Sequence, residues 1–203
     1  MKIMVMTEAL GADNKVSSAA LNNKAPVLMM KTDSALLTGG RPLFLPDDKG
    51  PISAACHLVV RIGRLGKSIP RRFAYRYVDG IGLGLDVRAD EVVSNLAERG
   101  LPWDEGINFD GGAVTGLFLP PLGANTGFHE WTLSIDGEEK MRCSTEQLQW
   151  QADELIAHWS TLMQLRQGDL LFAGAPADRF FLNIGQHVEA VLDGKSVLKF
   201  NVR

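Results

Sequence analysis

Residues 57–87 read HLVVRIGRLGKSIPRRFAYRYVDGIGLGLDV. HLVVRI, at 57–62, carries Val59, Val60 and Ile62, β-branched side chains that fit a pleated, half-buried surface, and His57 opens the strand. Ile69-Pro70 begins a short helix through Phe73, Ala74 and Tyr77, and Gly80 ends it. IGLGLDV, at 81–87, is a second strand. Its alternating glycines mark close packing, because no helix of the right kind follows to make a dinucleotide fingerprint.

Toward the N-terminus, Ile3, Val5 and Met6 make a short strand and PVLMMK at 26–31 makes another. Residues 11–24 between them are small and polar and read as a loop, with one helical turn over Val16–Leu21. Gly39-Gly40 is a turn, Pro42 to Leu45 a brief extended piece, and 47–51 a surface loop. Toward the C-terminus, 89–99 is a helix on Val92, Val93 and Leu96, stopped by Gly100, and 101–116 is irregular and glycine-rich. WTLSID and EEKMRC flank the hairpin turn Asp136-Gly137. Ser144 and Gln147 form a capping box for the longest helix, 145–163, with Leu148, Ala152, Leu155, Ile156, Trp159, Leu162 and Met163 as its stripe. A strand in QGDLLFAGAP and a hairpin through Asp193-Gly194 close the chain. Many short strands with about three helices make a β-rich α+β fold.

Composition excludes other classes. The chain has 203 residues, 45% hydrophobic and 22% charged, which rules out disordered, collagen-like and coiled-coil chains and fits one domain over 1–203. The net charge of −3, from 21 basic and 24 acidic residues, gives no drive toward nucleic acid. The basic run Arg61, Arg64, Lys67, Arg71, Arg72 and Arg76 stands in an otherwise net acidic chain and reads as a solvated face. No apolar run spans a membrane, and MKIMVMTEAL is broken too early for a signal peptide, so a cytoplasmic protein is expected. Cys56 and Cys143 form no metal-type pair, and no two of the four histidines His57, His129, His158 and His187 have helical metal-site spacing. No nucleophile elbow or P-loop is present.

The order of motifs carries more. LVVRIGRLGKSI, FAYRYVDGIGLGLDV, GLPW, NFDGGA, IDGE, LRQGDLLFAGAP and IGQHVEAVLDGKSVLKF together resemble the fumarylacetoacetate hydrolase family from Pro26 to the C-terminus. Residues 1–25 are the divergent part. The resemblance implies a mixed β-roll of that family's C-terminal-domain type, usually a homodimer. It implies hydrolysis, decarboxylation or isomerisation of β-diketo acids, acylpyruvates or other small oxo-acids with Mg²⁺ or another divalent cation. In that chemistry the cation is a Lewis acid for the enolate left by bond cleavage, and it needs hard oxygen ligands.

Carried over by motif, the family's two metal-binding glutamates fall on Ala55 and His57, and its aspartate falls on Asp86. His57 and Asp86 are thus the candidate metal ligands, for a softer ion than Mg²⁺. The arginine that follows the aspartate falls on Asp90, and the lysine before the F-D-G segment falls on Ile107, while Asp110 is kept. The Thr-Gly-Thr-Pro turn reads Ala173-Gly174-Ala175-Pro176, and the N-terminal segment lacks the family's catalytic histidine. The ancestral pocket is therefore Ala55, His57, Asp86, Asp90, Ile107, Asp110, Gly174 and Ala175, with no assigned catalytic residue. Scaffold positions match and chemical ones mostly do not. That pattern favours a catalytically silent member, a binding module or a subunit beside an active paralogue, over a metal-dependent enzyme.

Overall fold

The computed structural model describes residues 1–7, 25–121, 127–175 and 178–203. The helical turn expected at 16–21 and Pro176 of the Gly-Pro scaffold lie outside them. The chain is strand-rich, with twelve strands among the described residues. These are β1 (Ile3–Thr7), β2 (Val27–Lys31), β3 (Leu36–Thr38), β4 (Ile52–Ile62), β5 (Val78–Ala89), β6 (Ala113–Thr115), β7 (Glu130–Ile135), β8 (Glu138–Ser144), β9 (Leu170–Phe172), β10 (Phe180–Leu182), β11 (His187–Leu192) and β12 (Lys195–Asn201). Two α-helices, α1 (Asp90–Glu98) and α2 (Ala152–Leu162), and a seven-residue 3-10 helix, Arg71–Tyr77, bear out the α+β expectation.

A mixed sheet runs β2-β1-β9-β4-β5-β6-β3, with β10 also paired to β4; β1/β9 and β3/β6 are parallel. A second, antiparallel sheet runs β12-β11-β7-β8. Its two hairpin turns place Asp136 (φ 53°) with Gly137 (φ 82°) and Asp193 (φ 49°) with Gly194 (φ 76°), the consecutive positive φ values that a tight hairpin requires.

The two long strands β4 and β5 organise the molecule. Their side chains alternate between faces, and the register pairs Ala54 with Val87 and Ala55 with Asp86. The convex face presents Ala54, Cys56, Leu58 and Val60 with Leu83, Leu85 and Val87. These pack with Trp131, Leu133, Val188 and Phe200 of the second sheet and with Leu155, Ile156 and Trp159 of α2 in the main core. The concave face presents Ser53, Ala55 and His57 with Gly84, Asp86 and Arg88, above a smaller cluster that includes Val5, Met29, Val59, Val93, Ile107 and Phe172. Gly84 is required there: a Cβ would lie 2.8 Å from Phe172 Cε1 and 2.8 Å from the Val114 carbonyl oxygen. The alternating glycines do mark close packing.

Several boundaries differ from the sequence reading. β4 begins at Ile52, so His57 lies mid-strand rather than opening it. Strands β3, β6 and β10 are each three residues long, too short to show a period. Residues 145–163 do not form one helix. Ser144 and Gln147 make their capping box, but it caps a single 3-10 turn, after which Leu148 (ψ 130°) is extended. A second box, Gln151 with Glu154, starts α2 at Ala152. The shortened helix leaves Leu162 58% exposed, whereas Trp159 is fully buried. Truncating Trp159 to alanine should therefore lower stability by about 3–5 kcal/mol in urea denaturation, while Leu162→Ala stays within about 0.5 kcal/mol of wild type.

Candidate functional site

Asp86 has no solvent exposure, and three cations of the same chain surround it. Lys31 Nζ lies 2.8 Å from Oδ1. Arg88 Nε and Arg179 Nη1 lie 2.7 and 2.8 Å from Oδ2. Local structure explains each approach. Alternation along β5 puts Arg88 on the face of Asp86. Pairing of Thr7 with Val27, Val5 with Met29 and Ile3 with Lys31 puts Lys31 on the face of Val5 and Met29. Lys31 stands four strand spacings from β5, about 19 Å across a flat sheet. Its ammonium reaches Asp86 because the sheet curls over its concave face.

Hydrogen bonds complete the cluster. Lys31 Nζ also donates to the carbonyl oxygens of Val87, at 2.7 Å, and Gly112, which uses all three of its N–H groups. Arg179 donates from Nε to Ser53 Oγ, at 2.8 Å, and from Nη2 to the carbonyl oxygens of Ser53 and Asp86. The Ser53 hydroxyl donates to Asp90 at the start of α1. Arg88 Nη2 donates to Thr7 Oγ1. Among the described residues this leaves one N–H of Arg179 without a partner, and Arg88 Nε, though 2.7 Å from Asp86 Oδ2, makes no hydrogen bond. Arg179 is 19% exposed, against 4% for Arg88 and none for Lys31, so it is the outward member of the group.

The electrostatics follow from burial and charge. Burial pushes Lys31 down to about 8, with Asp86 opposing the fall, so the ammonium is protonated at neutral pH. Burial pushes His57 down to about 3, opposed by Asp86 and reinforced by Arg179, Arg88 and Lys31; its imidazole is neutral. For Asp86 burial acts upward, but Arg88, Lys31 and Arg179 together outweigh it and hold the carboxyl well below its usual range. Two further polar atoms on this face, His57 Nδ1 and Thr115 Oγ1, are buried with no hydrogen-bond partner among the described residues. Their residues share one row of the sheet, paired to Gly84 from either side.

The residues chosen from sequence are brought together only in part. Ala55 and Asp86 are register partners, and His57 lies one row away on the same face. Asp90 joins the cluster through Ser53 and lies 3.9 Å from Arg179 Nε. Ile107 is buried in the small apolar cluster, and Asp110 is exposed at the 109–112 turn. Gly174, at φ 137°, faces Leu148 on the convex side, and Ala175 is half-buried. The sequence reading missed Lys31, Ser53, Arg88 and Arg179. A two-residue count from Asp86 marks Arg88, and the same count from Met29 marks Lys31; nothing in the sequence marks Arg179.

Magnesium and its neighbours need several hard oxygen ligands. Here Ala55 offers a methyl group, His57 a neutral imidazole, and Asp86 a carboxylate whose two oxygens are already ion-paired. No group of three His, Cys, Asp or Glu among the described residues is placed to hold a metal ion. The described residues do not fit a divalent cation.

Residues 6–203 match the family model described as fumarylacetoacetate (FAA) hydrolase C-terminal. The chain belongs to the fumarylacetoacetate hydrolase family. Its relatives in that family include the mitochondrial oxaloacetate tautomerase FAHD1 of Arabidopsis thaliana, 27% identical over 88% of this chain and 81% of the relative. Another is the oxaloacetate tautomerase YcgM of Escherichia coli, 28% identical over 85% of this chain and 80% of the relative. Among solved structures, fumarylpyruvate hydrolase from Pseudomonas aeruginosa in complex with Mn²⁺ and pyruvate superposes with a TM-score of 0.83 at 26% identity, covering 99% of this chain and 88% of that one. Family membership and the roll are thus established.

Two outcomes test the electrostatics. Asp86→Asn leaves three buried cations without their carboxylate and should cost about 3–5 kcal/mol in urea denaturation. His57 is neutral in the fold down to about pH 3, whereas the unfolded chain takes up that proton near 6.5. Stability therefore falls as pH drops through that window, by about 2 kcal/mol between 6.5 and 5 from this group. His57→Leu should flatten the decline by that amount in denaturation measured across pH. Below about 3.8 the unfolded chain also takes up a proton at Asp86, which the fold keeps ionised, and this steepens the decline in both proteins.

Proposed function

We propose that this chain acts in the hydrolase and isomerase chemistry of its family on a small 2-oxo acid, and meets the substrate's carboxylate with guanidinium groups instead of a divalent cation. The observation that carries this reading is the charge balance of the concave face. Lys31, Arg88 and Arg179 stand against Asp86 and Asp90, three cations to two carboxylates, which leaves one formal positive charge in a buried setting. A monoanion completes that balance. Guanidinium groups suit carboxylates because their planar N–H pairs match two oxygens at once. The N–H groups of Arg179 and Arg88 that have no partner among the described residues supply such donors, and neutral His57 offers a hydrogen-bonding group for the keto oxygen.

The names of the relatives support the substrate class. They act on oxaloacetate, and one structure holds pyruvate. These relatives are enzymes and lend no support to a silent subunit. Several are mitochondrial by name, so the expected cytoplasmic setting is not carried forward. No helix among the described residues is long and apolar enough to cross a membrane. A homodimer is retained as part of the proposal, to be read by analytical ultracentrifugation.

The test is calorimetric titration of pyruvate and of its inert analogue oxalate into protein treated with EDTA. Both should bind, with affinities that EDTA does not change. Arg179→Gln should weaken binding tenfold or more, the loss expected for one charge-assisted contact, with its fold checked by circular dichroism. Absence of binding to the folded wild-type protein overturns the reading. In parallel, enol-to-keto conversion of oxaloacetate followed by ultraviolet absorbance should persist in EDTA. Binding without conversion would instead identify a silent binding module.

A further inference from the structure

We infer that Arg179 and Arg88, together with Lys31, supply Asp86 with the positive charge that a divalent cation would supply, so that acids at 55 and 57 make a metal site only when the two arginines are removed. The inference rests on the family placement of Ala55, His57 and Asp86, but not on the identity of the organic ligand.

The geometry around Ala55 carries it. On β4, Ala55 lies between Ser53 and His57 on the concave face, and across the ladder it pairs with Asp86. Arg179 binds the hydroxyl and carbonyl of Ser53 and both the carboxylate and the carbonyl of Asp86. Its guanidinium is thus held by the residues that flank position 55 on both strands. The methyl group at 55 brings no charge to this region, whereas a glutamate there would set a second carboxylate beside the guanidinium.

The charges tell the same story. A lone Asp86 with no exposure needs a positive partner, because an isolated buried carboxylate is costly. Where a metal ion would supply that partner, this chain supplies three N–H-bearing cations at 2.7 to 2.8 Å. The positions to which the resemblance assigns balancing bases, 90 and 107, hold Asp90 and Ile107, so the charge pattern has been exchanged on both sides. Adding carboxylates to this face without removing its arginines would create further ion pairs, not a metal site.

The experiment is titration with Mn²⁺ alone, read by loss of the free-ion signal in electron paramagnetic resonance, with no organic ligand present. Wild type and Ala55→Glu/His57→Glu should show no binding at millimolar Mn²⁺. The variant Ala55→Glu/His57→Glu/Arg88→Ala/Arg179→Ala should bind at least a hundredfold more tightly than the double variant. Binding by wild type overturns the inference. So does equal binding by the double and quadruple variants, or no binding by a quadruple variant that circular dichroism shows to be folded.

A thermal cycle keeps the question open to test where the quadruple variant does not fold. Ala55→Glu should lower Tm by several degrees more in an Arg179→Ala background than in wild type, since Arg179, held by Ser53 and Asp86 beside position 55, is the cation nearest the added acid. Equal or smaller shifts overturn the coupling. Because neither measurement contains an oxo-acid, failure here is separable from failure to bind pyruvate.

Discussion

The contact between Lys31 and Asp86 joins strands that lie far apart in the sheet order. Every other concave-face interaction depends on the curl that this ion pair closes. Burying both groups carries a desolvation cost of several kcal/mol per ion, and attraction alone rarely offsets it. What makes the arrangement viable is the close pairing of opposite charges. The ammonium spends its donors on one carboxylate and two carbonyls, and each carboxylate oxygen meets at least one cation. Such a cluster fixes geometry more than it adds net stability. It sets where β2 ends, where β5 turns into α1, and how closely the segment carrying Arg179 approaches β4.

Much of the architecture was legible because its signals are local. The β-branched run of β4, the Asp-Gly turns and the alternating glycines of β5 each follow from the conformational preference of a few neighbouring residues. The helix over 145–163 was misjudged because its capping box is genuine yet governs only one 3-10 turn; whether a helix continues depends on what the next residues pack against. Strands of three residues left no period to read.

The site was legible to a lesser degree, for a different reason. Its location followed from motif order, and Ala55 and Asp86 do face each other across the ladder. Its chemistry did not follow, because the decisive partners lie far away in sequence. Lys31 reaches Asp86 only through the curl of the sheet, and Arg179 arrives from the segment that precedes β10. The basic run that looked most suggestive, Arg61 to Arg76, spends its charge elsewhere. Arg61 pairs with Asp79 and lies over Phe118, Arg64 lies over Tyr77, and Arg71 binds Asp153 and Glu154.

The two-residue alternation of β4 and β5 separates the molecule's mechanical and chemical duties along a single ribbon. Odd positions of β4 and even positions of β5 point toward the ionic hollow, and their neighbours carry the oily seam beneath the second sheet and α2. Replacement of an acid by a methyl group, or of a small residue by an arginine, on the hollow side leaves that seam untouched. A scaffold divided in this way lets successive generations of the gene rewrite its reactivity while its folding instructions stand still.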